Sequence, residues 1–192
     1  MDPHIIFGLL WIGYFTLHSL LADPRTKAFA KQLLGKYFRW YRIFYNLLAL
    51  GLLAPILLYR DSFSSPQFID FPGKEILAGT LAFLGSLIMY LAFQSYDTGE
   101  FLGLKNPEGL YQELATRGLH AYTRHPLYFG TIIFLIGYLL YASSLSAVVT
   151  VGVIFLYLFI GTLLEERKLL VQYGDTYKAY KKQVKMLIPY VF

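Results

Sequence analysis

PLYFGTIIFLIGYLLYASSLSAVVTVGVIFLYLFIGTLL, residues 126–164, runs for 39 positions without an Asp, Glu, Lys or Arg. That length holds two membrane-spanning helices of about 20 residues each, folded back on one another. Charged clusters frame it: Tyr122-Thr123-Arg124-His125-Pro126-Leu127-Tyr128 on one side, Glu165-Glu166-Arg167-Lys168 on the other. A hairpin returns the chain to the side it left, so Arg124, His125, Glu165 and Glu166 are expected to meet at one membrane face. A cationic-aromatic cluster opposite a carboxylate pair is the candidate place for chemistry.

Working outward, the 192 residues are 56% hydrophobic with a mean hydropathy of +0.48, which indicates one compact membrane domain. The absence of cysteine excludes disulfides, thiolate metal sites and Cys nucleophiles. Five segments are long and apolar enough to span: Ile5–Ala22, Ile43–Tyr59, Ile76–Gln94, Leu127–Ser143 and Ala147–Leu164. The expected fold is an all-α integral membrane protein: five transmembrane helices, a C-terminal helical hairpin and a cytoplasmic tail helix. Fifteen of the seventeen Lys and Arg residues fall in the first and third connections and the tail. The positive-inside rule makes that side cytoplasmic, with the N-terminus outside and the C-terminus inside. The net charge of +5 is thus a topology signal, and nucleic acid is not an expected partner. Met1-Asp2-Pro3-His4 carries no Lys or Arg, so the first span reads as a retained anchor.

Asp23 to Arg42 is amphipathic and expected to lie against anionic headgroups. Asp61 to Gly73 reads as plain linker. The third connection, Ser95 to Arg124, is long for a compact membrane domain and mixes acidic, aromatic and glycine residues, which marks it as functional. The tail from Glu165 to Phe192 is helical in pattern with a break at Gly174. Tyr173, Tyr177 and Tyr180 should share a face, and Lys178, Lys181, Lys182 and Lys185 should meet headgroups.

Pro126 suits the first turn of the fourth span, where its missing N–H is no loss. His125 and Tyr128, three apart, share a helix face near an end that favours anions. Arg124 offers a fork for a carboxylate. Glu165 and Glu166 stand where positive residues are expected and oppose the dipole of an ending helix. They need either cationic partners or a ligand cation. A molecule bearing both ammonium and carboxylate would satisfy the two clusters together. His18 and Asp97 are polar groups in or near the membrane. His120 and His125 lack the carboxylate spacing of a metal site, so no metal is expected.

These residues resemble the isoprenylcysteine carboxyl methyltransferase family and the related phospholipid methyltransferases. The resemblance is carried by Arg124-His125-Pro126-x-Tyr128-x-Gly130, the hairpin, Glu165-Glu166, and Tyr173-Gly174-Asp175-x-Tyr177-x-x-Tyr180 with Val184 and Pro189. Gly118-Leu119-His120 leads in, and about the last 85 residues are covered. It implies a single membrane methyltransferase-like domain over residues 1–192, with a three-span part at 1–94 and a cofactor-binding part at 95–192. S-adenosylmethionine is the implied cofactor, held by Gln112, Glu113, Leu114, Ala115, His120, His125, Pro126, Leu127, Tyr128 and Glu165. The catalytic candidates are Arg124, His125 and Glu166. His18-Ser19-x-x-Ala22 and Tyr96-Asp97 to Gly103-Leu104 look like the branch containing thiol methyltransferases.

One departure matters. Prenylcysteine enzymes carry an Arg one turn before the glutamate pair, assigned by the resemblance to the substrate carboxylate; here Gly161 stands there. The acceptor is therefore left open: a lipophilic or small thiol, carboxylate or lipid amine, with membrane lipids as surroundings. A thiol or amine needs a base, for which His125, His120 and Glu166 are candidates. The alternatives are an NADPH-dependent sterol-type membrane reductase and a non-enzymatic membrane partner protein. A bacterial or archaeal inner membrane is the expected location, rather than the endoplasmic reticulum.

Overall fold

Helices account for every regular element described in the computed structural model, which covers residues 1–96, 99 and 114–192. They are α1 (Pro3–Ala22), α2 (Pro24–Leu34), α3 (Tyr41–Asp61), α4 (Lys74–Phe93), α5 (Pro126–Ala142) and α6 (Leu145–Gln183). Two 3₁₀ turns, Gly35–Trp40 and Gly118–Ala121, precede α3 and α5. Among the described residues four helical segments are long and apolar enough to cross a membrane: Pro3–Ala22, Pro24–Asp61, Lys74–Phe93 and Leu145–Gln183. The 17-residue α5 is equally apolar but shorter, about 26 Å by its rise. Large side chains such as Leu58, Ile76 and Phe83 are 72%, 78% and 66% exposed, an arrangement suited to lipid rather than water.

Local chemistry sets the helix boundaries. Asp2 and Asp23 each cap a helix by accepting from a backbone N–H two residues on, His4 at 2.7 Å and Arg25 at 2.8 Å. Pro3 and Pro24 follow at the first helical position. Asp23 also ends α1 in an extended conformation, which turns the chain from α1 into the amphipathic α2. α3 runs unbroken through Pro55.

The chain forms two compact units. In the first, Met1–Pro66, α1 packs on α3. Phe7 and Trp11 are buried, and Tyr45 meets His18.

The second unit holds Gln67–Tyr96 and 114–192, and here α4 packs along α5 through small residues. A Cβ added at Gly85 would lie 2.5 Å from the Phe134 nitrogen, and one at Gly130 would lie 2.9 Å from the Gly85 carbonyl oxygen. At Gly137 it would meet the Ala78 carbonyl at 2.8 Å. The two backbones touch, the usual device where lipid offers no hydrophobic drive for helix association.

Ser143, at φ 45°, and Ser144 make the reversal from α5 into α6. The segment before α4 is more than linker: the Phe68 N–H donates to the Ser143 carbonyl at 2.9 Å, and Gln67 bridges Ser144. The buried serines need backbone partners, and this segment supplies one.

A candidate active site where the chain returns on itself

α6 does not stop at the glutamate pair. It continues to Gln183, with Gly174 (φ 54°, ψ −125°) as the only non-helical joint. Glu165 and Glu166 therefore sit inside a helix and do not oppose an ending dipole. The conflict anticipated at this point disappears.

Consecutive helical residues project about 100° apart, so the two carboxylates must face different partners. Glu166 is 6% exposed and both its oxygens are occupied. Oε1 accepts from Arg124 Nε at 2.8 Å, His125 Nε2 at 3.0 Å and the Tyr177 hydroxyl at 2.5 Å. Oε2 accepts from Arg124 Nη2 at 3.0 Å and lies 2.8 Å from Lys181 Nζ. This is a bidentate arginine–carboxylate pair with three further donors, the geometry that makes a buried charge tolerable.

The corner is braced by the chain's last residues. Arg124 Nη1 donates to the Val184 carbonyl at 2.5 Å. The backbone N–H groups of Arg124 and His125 donate to Lys185 and Met186 at 2.9 and 3.2 Å. The Thr123 hydroxyl donates to the carbonyls of Met186 and Leu187 at 3.0 and 2.9 Å. Residues 123–125 and 184–187 thus lie alongside as a short parallel pairing, which lines up Arg124 with Glu166.

Glu165 is different. Its side chain is 39% exposed, it accepts from the Tyr128 hydroxyl at 2.9 Å, and His125 Nδ1 lies 3.6 Å away. His125 is held between the two carboxylates and stacks on Tyr128, centroids 5.5 Å apart and planes 9° from parallel. As the N-cap of α5 it makes no side-chain capping bond, because its ring is committed to the acids. Tyr96, just after α4, has its hydroxyl pKa raised by burial and then by the charge of Glu165, which places it within electrostatic reach. Glu165 and Tyr128 together provide a carboxylate with an aromatic wall, with Tyr96 in electrostatic reach, an arrangement that suits an ammonium or sulfonium cation.

His120 sits in the turn Gly118–Ala121, for which Gly118 takes φ +63°. Its carbonyl accepts from the Tyr180 hydroxyl at 2.5 Å. The ring is buried, and among the described residues Nδ1 has no hydrogen-bond partner. Its pKa is lowered by burial and by His125, against an opposing pull from Glu165.

The structure thus brings Arg124, His125, Tyr128, Glu165 and Glu166 into direct contact, with Pro126 buried at the start of α5. Leu127 lies half-buried one residue further on. Leu114 packs against Tyr177, Tyr180 and Val184, whereas Ala115 is exposed. Gln112, Glu113 and Asp97 lie outside the described residues. His18 belongs to the other unit, where Nε2 lies 2.6 Å from the Tyr45 hydroxyl in a narrow groove also lined by Tyr14 and Leu52. The sequence reading missed the roles of Thr123, Tyr177 and Lys181. Lys181 turns to Glu166 instead of only meeting headgroups. The available signal was the four-residue spacing of Tyr177 and Lys181, which puts both on one face. Tyr173 packs on Tyr177 and Tyr180 as the shared-face expectation requires, even across the Gly174 joint.

No solved structure matches the chain. Two curated relatives come from Bradyrhizobium diazoefficiens. Methanethiol S-methyltransferase 1 is 30% identical over 97% of this chain and 67% of its own length. Methanethiol S-methyltransferase 2 is 26% identical over 98% and 74%. Methanethiol S-methyltransferase of Crocosphaera subtropica is 28% identical over 96% of this chain and 73% of its own. Residues 10–184 match one family along nearly the whole chain, and the protein belongs to that family, described as "Protein of unknown function (DUF1295)".

Proposed function

We propose that this chain is an S-adenosylmethionine-dependent methyltransferase that methylates a small thiol at the cytoplasmic face of a bacterial membrane. The observation that carries the reading is the division of labour between the two glutamates. Both oxygens of Glu166 are taken up by Arg124, His125, Tyr177 and Lys181, while Glu165 keeps a half-exposed carboxylate bonded to Tyr128, with Tyr96 in electrostatic reach. The relatives named for methanethiol methylation support the reaction class and the acceptor.

Gly161 supports a thiol over a carboxylate acceptor. It stands one turn before Glu165, and among the described residues nothing lies within 4 Å of where a Cβ would be, so the position itself presents no cation. In this reading α5 and α6 cross the membrane as a hairpin, the fourth and fifth of five spans, with the C-terminus inside. The residues proposed to hold the donor are Glu165 for its ammonium, the N-terminal turn of α5 for its carboxylate, and His120, His125 and Tyr128 with residues 112–115 around the adenosine. When bound, S-adenosylmethionine supplies an electrophilic methyl on a sulfonium. The protein's part is to hold acceptor and donor at attack distance in a dry site.

Calorimetry of the purified protein should show binding of S-adenosylmethionine and its demethylated product. Glu165→Ala should weaken that binding at least tenfold while leaving the fold intact, since among the described residues Glu165 braces only Tyr128 and His125. Binding of NADPH with no response to the sulfonium compound would instead establish the reductase reading. Binding of neither would favour a non-enzymatic partner.

A further inference from the structure

We infer that His120 Nδ1 is the atom that takes the proton from the thiol as it is methylated, an assignment that rests on the methyltransferase reading above. Methyl transfer to a thiol releases a proton, and the thiolate is the effective nucleophile. The sulfur of the acceptor forms a bond to the methyl carbon. The carbon–sulfur bond of the sulfonium donor breaks, its electron pair staying on the departing sulfur, which becomes a neutral thioether. The proton of the S–H goes to a base of the protein.

Three candidates stand near the donor site, and geometry separates them. Glu166 has both oxygens filled by four residues and is sealed from solvent. His125 gives Nε2 to Glu166 and turns Nδ1 toward Glu165 at 3.6 Å, so each nitrogen faces a carboxylate. His120 alone of the three has a ring nitrogen with no partner among the described residues. A buried polar atom left without a partner is costly, and such an exception calls for a functional account.

The turn carrying His120 is fixed in place, since the Tyr180 hydroxyl clamps its carbonyl and its N–H donates to the Arg117 carbonyl at 3.2 Å. The titratable groups that act on its ring are His125 at the start of α5 and Glu165 on α6, and the Tyr180 hydroxyl bonds its carbonyl. Burial and His125 favour the neutral ring that a base requires. Glu165 would steady the cation formed after proton uptake.

The test compares a thiol with the corresponding selenol, which is largely ionised at neutral pH and needs no base. His120→Gln should lower kcat/KM toward methanethiol at least a hundredfold more than toward methaneselenol, since any weakening of donor binding acts on both substrates alike. For the unaltered protein, kcat/KM toward the thiol should rise with pH through a group titrating below the ordinary histidine range, and the selenol profile should lack that limb. Nitrogen-15 resonances of labelled histidine give a readout independent of turnover: His120 should be singly protonated at pH 7. Equal loss of both substrates, no loss of either, matching pH profiles in the unaltered protein, or a doubly protonated His120 would each overturn the assignment. Should His120→Gln fail to fold, the pH profiles and resonances of the unaltered protein still decide. If the unaltered protein methylates neither compound, the methyltransferase reading fails, a result distinct from those.

Discussion

Helix α5 is held along its length and at its start by opposite kinds of chemistry. Along the seam with α4 there is almost no chemistry at all: Gly85, Gly130 and Gly137 let backbone touch backbone. At its start, Arg124 and His125 join Glu166, Tyr177 and Lys181 in one ionic cluster, and Thr123 to His125 pair with the end of the chain. The seam is intolerant of one added carbon. The corner converges on the Glu166 carboxylate. A corner built from long side chains needs a rigid platform beneath it, and a seam where backbone lies directly on backbone supplies that rigidity.

The largest effect expected from breaking this contrast is at Glu166. Glu166→Ala leaves Arg124 with no counterion in a buried place and should destabilise the protein by about 3–5 kcal/mol, read as thermal unfolding in detergent. Glu166→Gln, which keeps the shape and loses the charge, should fall between that and wild type. If both variants were as stable as wild type, the corner would not be held by charge.

A smaller loss is expected at the seam. Gly130→Ala puts a Cβ 2.9 Å from the Gly85 carbonyl oxygen and the Met89 nitrogen and should cost about 1–3 kcal/mol in the same assay. Because no charge is involved, that loss should be insensitive to salt. An unchanged unfolding temperature would mean that α4 and α5 are further apart than described.

The smallest effect is at Lys181, which reaches Glu166 at 2.8 Å but remains 39% exposed. Lys181→Met should cost about 0.2–1 kcal/mol, and the difference from wild type should shrink as salt is raised. A loss as large as that of Glu166→Ala would show that the lysine and the arginine are equal partners.

Much of this site could be read from residue spacing. A spacing of three from His125 to Tyr128 requires a shared face, and their rings do stack. The partners of Glu166 were less legible, because Tyr177 and Lys181 reach it only through the joint at Gly174, and no local pattern encodes that direction. Charges usually mark the membrane boundary, so sequence alone makes the glutamate pair the end of a helix. The helix instead carries on, its charges absorbed by partners from another part of the chain. The segment before α4 looked like linker since its Ser and Pro content fits any loop. Its attachment to Ser143 and Ser144 depends on backbone atoms that are the same in every residue.

The order of residues alone determined that the chain is helical and apolar, where helices begin, and that acids and an Arg-His-Pro corner bracket one uncharged stretch, since these follow from local propensity and hydropathy. Only the tertiary structure decided that Glu166 is consumed by its neighbours, that the Glu165 carboxylate accepts from Tyr128, and that His120 Nδ1 has no partner among the described residues. Those outcomes depend on which distant groups arrive within 3 Å, a distance at which one carboxylate's gain is another's loss.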